Sequence, residues 1–213
     1  MKAAASWEWL RILIAVATTS FFSYLMLHIV LPYLAFRIDT DFLLAKQSII
    51  HIRHWRYAFY IHVFTSTFVL FLGIFQFIDR LVYGYPRLHR AIGLIYVSIV
   101  VLLSGPSGLI MGYYGNGGLY AQISFMTLAL LWIGFTATAY LLALRRDIES
   151  HQNFMLRSYA LTLSAITLRS YAFIIPRLIH MNGGDEYVLI AWLSWIPNLL
   201  IAEFLIRKKW RSI

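Results

Sequence analysis

Residues 119–144 read LYAQISFMTLALLWIGFTATAYLLAL, a run of twenty-six residues without a charged side chain. A helix needs about 20 apolar residues to cross the hydrocarbon core of a bilayer. Within lipid, a helix also satisfies its own backbone hydrogen bonds, which an open strand cannot do. The run therefore predicts a transmembrane helix.

Five similar stretches accompany it along the chain. The six apolar stretches cover about residues 9–31, 57–78, 91–113, 119–144, 154–175 and 187–206. Charged residues make up only 13% of the 213 residues, about half the fraction usual in soluble domains, and the mean hydropathy is +0.71. The first stretch is too long for a signal peptide and is interpreted as a retained helix. The sequence predicts an all-α membrane bundle of about six helices, as one domain over residues 1–213.

The positions of the basic residues predict the orientation. If the chain starts in the cytoplasm, twelve of its eighteen Lys and Arg residues fall in cytoplasmic segments and five in outer segments. The twelve are Lys2, Arg11, Arg80, Arg87, Arg90, Arg145, Arg146, Arg157, Arg207, Lys208, Lys209 and Arg211. Cytoplasmic segments of membrane proteins carry the excess of Lys and Arg, so both termini are predicted in the cytoplasm. The net charge of +9 is then mainly a topology signal, and no nucleic-acid partner is expected.

Two segments depart from regular transmembrane patterns. Residues 37–56 mix apolar residues with Lys46, His51 and His54, which predicts an amphipathic helix on the outer membrane surface. A docking surface for a partner is the alternative. The sequence Ser-Gly-Pro-Ser-Gly at 104–108 predicts a break in the third helix, because proline lacks the backbone N–H.

Polar residues at helical spacing predict which faces point into the bundle, since lipid cannot satisfy them. On the first helix, for example, Ser20 and Tyr24 share a face with His28. By their distance from the helix ends, the histidines fall into two layers. His28 and His62 form an outer layer, and His89 and His151 form an inner layer.

Two imidazoles that face each other at one depth are suitable axial ligands for a haem iron. The inner layer thus predicts a haem b site, and the outer layer a second one, which together would carry electrons across the bilayer. The alternatives are histidines that bond to lipid headgroups or cap loops, and another metal. Copper or zinc would take His51, His54 and His62 as ligands. The absence of cysteine excludes thiolate metal sites, iron–sulfur clusters and disulfides.

Arg169 is predicted to lie about 9 Å inside the membrane. A buried arginine is costly and marks a functional site by default. No acidic residue of the chain is expected at its depth, so its partner would be a haem propionate, a quinone oxygen, a lipid phosphate or another subunit. The alternative is a side chain that extends to the surface or bonds to backbone carbonyls. Arg157 lies near the cytoplasmic boundary, where it suits topology and headgroup contacts.

An ordered set of motifs carries a resemblance. The set comprises His62, HRAIGLIY at 89–96, the break at 104–108, Trp132, HQNFMLRSYAL at 151–161 and Arg169. Over about residues 57–176 the chain resembles the bacterial membrane-protein family known as domain of unknown function 2306. Phe154 stands where that family usually shows Trp. The resemblance implies a place in the bacterial cytoplasmic membrane, and it implies that His62, His89, His151, Arg157 and Arg169 belong to the family pattern. It implies no activity.

The layout of four histidines in two layers is also similar to two-haem membrane cytochromes of the b561 type, although the fourth helix here has no histidine. Three functions remain open. The first is a b-type haem protein that carries electrons, with a quinone as candidate partner and Arg157 and Arg169 as further cofactor contacts. The second is an accessory subunit of a larger membrane complex. The third is a lipid-handling enzyme or carrier, against which stands the lack of a nucleophile or phosphate-binding motif.

Overall fold

The computed structural model describes residues 2–208, and within them the side chains of residues 10, 13, 14 and 16–208. The described chain is helical and contains no β-strand. Its α-helices are α1 Lys2–Val30, α2 Arg53–Ile74, α3 Asp79–Gly84, α4 Pro86–Ile99, α5 Gly105–Tyr113, α6 Gly118–Leu144, α7 Ile148–Thr162, α8 Ser164–Leu178, α9 Gly183–Leu193 and α10 Ile196–Arg207. Short 3₁₀ helices span Leu31–Ala35, Asp41–Lys46 and Phe75–Phe77, and a π-helical segment spans Val100–Ser104.

These elements form six units that are long and apolar enough to cross a membrane, which confirms the predicted number and class. The units cover Val16–Ala35, Arg53–Phe77, Pro86–Tyr113, Gly118–Leu144, Ile148–Leu178 and Gly183–Arg207. Each successive unit runs back across the bundle. Of the basic residues used to predict orientation, the side chains of Lys2, Arg11, Lys209 and Arg211 lie outside the described part of the chain.

Three of the six units are interrupted within their length. The third contains the π-helical segment directly before Gly105 and Pro106, so the predicted break is confirmed. The fifth is interrupted at Leu163, between α7 and α8. The sixth is interrupted between α9 and α10, where Pro197 stands in the first turn of the new helix. Such irregularities release backbone carbonyls, which side chains of neighbouring helices then use as hydrogen-bond acceptors.

The centre of the bundle combines aromatic and small hydroxyl side chains. Tyr96, Trp132 and Tyr159 are buried there against Val69 and Val100. Several hydroxyl residues are fully buried, namely Ser104, Ser124, Thr136, Ser158 and Ser194. Small hydroxyl residues let membrane helices approach closely and hydrogen-bond across their interface.

One end of the bundle is closed by residues 31–52, and we call it the cap end. Here a cluster of buried side chains, the cap cluster, consists of Val30, Tyr33, Leu43, Ile50, Trp55, Phe59 and Val63. Asp41–Lys46 of this segment form a short 3₁₀ helix. Leu43 and Ile50 pack into the protein, whereas Leu44 is 59% exposed. A location of the segment on the outer membrane surface stays a prediction.

The cap is tied to the bundle by Lys46. Its Nζ donates to the backbone oxygen of Tyr114 and to Oδ1 of Asn116, both at 2.6 Å. Burial lowers the pKa of Lys46 to about 8. The acceptors belong to the turn between α5 and α6, where Gly117 and Gly118 adopt positive φ values of 82° and 74°. The opposite end of the bundle, which we call the cavity end, holds a cavity.

Candidate functional site

The cavity end contains a cavity of about 520 Å³. Both predicted inner histidines, His89 of α4 and His151 of α7, line it. Its walls are mainly apolar, with Ile74, Phe77 and Met155 among them. Volumes of about 300–1,000 Å³ with apolar walls and a few convergent polar groups are typical of small-molecule and cofactor sites.

The imidazole of His151 is held in one orientation. Asp147 caps the start of α7 by accepting a hydrogen bond from the backbone N–H of Ser150, at 3.1 Å. The hydroxyl of Ser150, together with this backbone contact, holds the pKa of the Asp147 carboxyl below its usual value. One turn into the helix, Nδ1 of His151 lies 2.8 Å from the backbone oxygen of Ala139 on α6. Because a carbonyl only accepts, Nδ1 carries the hydrogen, and the lone pair of the neutral ring lies on Nε2.

His89 brings an unsatisfied nitrogen to the same cavity. It lies in the first turn of α4, which begins at Pro86. Nδ1 of His89 and Nε2 of Gln76 are both buried, and neither has a hydrogen-bond partner among the described residues. A buried polar atom without a partner costs about 1–3 kcal/mol, and each such atom in a native structure calls for an explanation. A polar ligand in the cavity would supply one.

A network of hydroxyl groups lies deeper in the bundle than the cavity. The hydroxyl of Tyr96 is 2.9 Å from Oγ of Ser158 and 2.8 Å from Oγ1 of Thr162. Thr136 reaches Ser158 at 2.6 Å, and the indole N–H of Trp132 donates to Thr162 at 3.0 Å. Every side chain of this network has a partner, so the network joins α4, α6 and α7 without demanding a ligand.

His62 is also fixed by a backbone carbonyl. Its Nδ1 lies 2.8 Å from the oxygen of Ser104, at the end of the π-helical segment. A Cβ on Gly108 would lie 2.9 Å from Cε1 of His62, so only glycine lets the ring come this close. The carbonyl of Ser104 and the absent side chain of Gly108 fix the position of the His62 ring, and the sequence did not connect either residue with His62. Their position in the Ser-Gly-Pro-Ser-Gly break, one helical turn apart, was the available signal.

The first helix does not present the face that its polar stripe predicts. Tyr24 is 57% exposed, and the exposed His28 packs its ring against that of Tyr24, with 4.6 Å between centroids. The face turned inward instead carries Thr19, Ser23, Met26 and Val30. Among the described contacts none joins His28 to His62, so the structure does not bring the two predicted outer ligands together.

Arg157 has a partner within the chain. Its Nε and Nη2 donate to the two carboxylate oxygens of Glu203 at 2.5 and 3.0 Å, and its guanidinium stacks over Phe154. The pair links α7 to α10. Arg157 therefore forms a structural ion pair, and the carboxylate of Glu203, not a cofactor, balances its charge.

Arg169 has no such partner. Its Nη1 donates to the backbone oxygen of Ala165 at 2.9 Å, and no described carboxylate lies within ion-pair distance. The absence of an acid at the depth of this arginine stays a prediction.

The remaining histidines considered as metal ligands lie apart. His51 and His54 are exposed, and Nε2 of His54 is 2.9 Å from the hydroxyl of Tyr114. Among the side chains that the structure describes, no group of three or more from His, Cys, Asp or Glu is arranged to hold a metal ion. A haem iron needs only two protein ligands, so a haem site does not require such a group of three side chains.

None of the curated proteins and none of the solved structures matches the chain significantly. The model of one protein family, described as predicted membrane protein, matches residues 59–206. This match extends past the predicted limit near residue 176 and includes α9 and α10, while His28 lies outside it. The chain belongs to this family of membrane proteins, DUF2306.

Proposed function

We propose that this protein is a membrane-embedded b-type haem protein that carries electrons within the bilayer. A single haem would occupy the cavity, and His89 and His151 would hold its iron. The observation that carries the proposal is the meeting of two histidines from different helices, α4 and α7, in one mainly apolar cavity. Paired imidazoles in an apolar, water-poor site are the protein contribution that b-type haem requires.

The fixed ring of His151 supports this proposal. Histidines that bind metal usually donate their other ring N–H to a carbonyl or carboxylate, which sets the tautomer and makes the free nitrogen more basic. The bond from Nδ1 of His151 to Ala139 is of this kind. It leaves Nε2 as the nitrogen that would hold the iron.

Polar groups around the cavity also fit such a cofactor. The unpartnered amide of Gln76 and Nδ1 of His89 offer hydrogen-bonding capacity within the cavity. Arg90 and Asn153 also line it, and an arginine is suited to pair with a carboxylate side chain of the cofactor. When bound, haem would supply one-electron chemistry, while the residues of this chain would hold it, orient it and exclude water.

We place only one haem in the molecule. A second bis-histidine site would need His28 and His62 on the same interior site, whereas His28 is exposed and packs on Tyr24. The proposal thus keeps the inner pair and assigns His62 no iron.

The test is a reduced-minus-oxidised optical spectrum of the purified protein together with its iron content. We expect an α-band of b-type haem in the wild type and its loss in His89→Ala and His151→Ala. The exposed His28→Ala and His54→Ala serve as matched controls and should keep the band. Thermal unfolding and size-exclusion profiles show whether each variant is folded.

An iron-free wild type without the band would overturn the proposal, and would favour an accessory subunit or a lipid carrier. Retention of the band in both His89→Ala and His151→Ala would reject this ligand pair. Loss of the band in folded His28→Ala would contradict the single site.

A further inference from the structure

The wall of the cavity holds an amide group without a partner. Gln76 lies in the 3₁₀ helix Phe75–Phe77, which follows α2 and packs against α4. Its side chain lines the cavity, and its Nε2 is buried without a hydrogen-bond partner among the described residues. A donor of this kind is costly in apolar surroundings unless an acceptor reaches it. The amide therefore calls for an acceptor that the described residues do not supply.

Gly93 lets this amide rest against α4. A Cβ on Gly93 would lie 2.9 Å from Oε1 of Gln76 and 3.9 Å from its Nε2. Gly93 stands one turn after His89, and with about 3.6 residues per turn its direction falls between those of His89 and Arg90. The amide is thus placed on the face of α4 that carries a proposed iron ligand and a cationic side chain. The side chains of Gln76, His89 and Arg90 all line the same cavity.

Few atoms of a haem can accept a hydrogen bond from this amide. The edge of a b-type haem is apolar except at its two carboxylate side chains, and a bond from an N–H to a carboxylate is stronger than one to a neutral oxygen. The terminal torsion of a glutamine is broad, so Gln76 can turn its N–H toward an acceptor at little cost. Arg90 offers further donors: its Nε donates to the backbone oxygen of Pro86 at 3.2 Å, which leaves its terminal nitrogens for a ligand.

We infer that Gln76 donates a hydrogen bond to a carboxylate of the cofactor, and that the cavity thereby selects a tetrapyrrole whose carboxylates are free. The inference deepens the proposed function by naming what the cavity recognises besides iron, and it rests on that function for the class of ligand. Asp79 is the one acid among the described lining residues. Its carboxylate repels a negatively charged ligand, so it opposes the binding that Gln76 and Arg90 provide.

The experiment uses the full chain in phosphatidylcholine nanodiscs, purified from cells that make no haem. Metal-free protoporphyrin IX, which has free carboxylates, is compared with its dimethyl ester, and binding is followed by porphyrin fluorescence. Without iron the histidines form no metal bond, so the difference between acid and ester measures the recognition of the carboxylates. Empty nanodiscs correct for porphyrin dissolved in lipid. The wild type should bind the acid about tenfold or more tightly than the ester, because hydrogen bonds to charged groups are the stronger ones.

Two variants test the amide in different ways. Gln76→Leu should weaken binding of the acid about tenfold and leave binding of the ester unchanged. Gly93→Ala adds a methyl group that displaces the flexible end of Gln76, and it should also weaken binding of the acid. Gln122→Leu is the matched control, because Gln122 donates to the backbone oxygen of Gly115 and does not line the cavity. Asp79→Asn removes the repulsion and should strengthen binding of the acid but not of the ester.

Equal binding of the acid and the ester by the wild type would overturn the inference. An unchanged preference for the acid in folded Gln76→Leu or folded Gly93→Ala would also overturn it. The proposed function fails separately, because His89→Ala and His151→Ala should lose the haem band and still prefer the acid. A wild type that prefers the acid through Gln76 but forms no haem band would overturn the proposed function and support the inference. A b-type haem protein in which neither variant changes the preference would do the reverse.

Discussion

Lys46 shows how a single residue can secure the cap end. Its ammonium is almost completely removed from solvent, with 4% of the residue exposed. It nevertheless donates to two acceptors of the turn between α5 and α6. Desolvation opposes the charged form, which is why burial lowers the pKa of Lys46 to about 8, from about 10.4 in an unfolded chain.

We expect Lys46 to make the protein more stable as the pH rises from about 8 to about 10. In this range the unfolded chain still holds the proton that the folded chain has released, so the free energy of unfolding increases with pH. Below about pH 8 the cost of the buried charge is fully present. The neutral amine keeps two N–H groups, enough for both acceptors.

The measurement is the Tm of the wild type compared with that of Lys46→Met across this range. The variant leaves two acceptors unsatisfied and should be less stable by about 1–3 kcal/mol. The difference in Tm between the two proteins should widen with increasing pH, since groups that titrate in both cancel. A difference that narrows would show that the charged form is the stabilising one.

Among the helical elements, α7 and α10 are joined by the ion pair of Arg157 and Glu203, whose side chains are 19% and 34% exposed. We expect Arg157→Gln and Glu203→Gln each to lower the free energy of unfolding by about 1–3 kcal/mol, because each leaves a partly buried charge alone. The double variant should lose less than the sum of the two, since it leaves no unpaired charge.

Chemical or thermal unfolding of the four proteins in this cycle measures the coupling. Arg37→Gln is the matched control, because it breaks the exposed pair with Asp39. Its effect should stay below about 1 kcal/mol. Additive losses in the Arg157 and Glu203 cycle would mean that the two side chains act independently.

The packing of α2 against α4 and α7 depends on Gly73. A Cβ on this residue would overlap the ring of Tyr159 and lie 3.1 Å from Cε2 of Tyr96. We expect Gly73→Ala to cost about 1–3 kcal/mol through displacement of these rings. Gly134→Ala, in the open middle of α6, should be neutral or slightly stabilising, because alanine favours a helix. Equal melting temperatures for both variants would refute this account of the packing.

The six crossings could be predicted from sequence because length and hydropathy are properties of a segment taken alone. The face of α1 that packs against the bundle could not be predicted in this way. Tyr24 and His28 form a polar stripe but are exposed, whereas Met26 and Val30 are buried. Near a helix end, headgroups can satisfy such side chains, so a polar stripe there does not decide which face meets the protein.

The candidate sites also combine features that a single segment predicts with features that depend on packing between helices. That His89 and His151 lie in one layer follows from their positions near helix ends, and the structure places both in one cavity. The partner of Arg157 could not be predicted, because Glu203 lies 46 residues away and depends on how α10 packs. The bonds from His62 to Ser104 and from Lys46 to Tyr114 use backbone oxygens, which every residue has and no side-chain pattern reveals.

For the molecule as a whole, six crossings return the chain to the side of the membrane from which it starts. The cavity end therefore shares its side with the start of the first crossing and the end of the sixth. The distribution of Lys and Arg predicts that this side is the cytoplasm. The proposed haem would then lie near the cytoplasmic surface, and Arg169 nearer the outer one.

Cysteine labelling can establish this orientation without interference, because the chain contains no cysteine of its own. Tyr83→Cys places a thiol at the cavity end, where Tyr83 is 76% exposed, and Gly184→Cys places one at the cap end, where a Cβ meets no atom within 4 Å. We expect a membrane-impermeant maleimide to label Gly184→Cys in intact cells and Tyr83→Cys only after permeabilisation. The reverse pattern would place the cavity outside the cytoplasm and would require an external electron acceptor. Labelling of both thiols in intact cells would contradict an odd number of crossings between them. It would also contradict the path of α4 to α8 that brings His89 and His151 to one cavity.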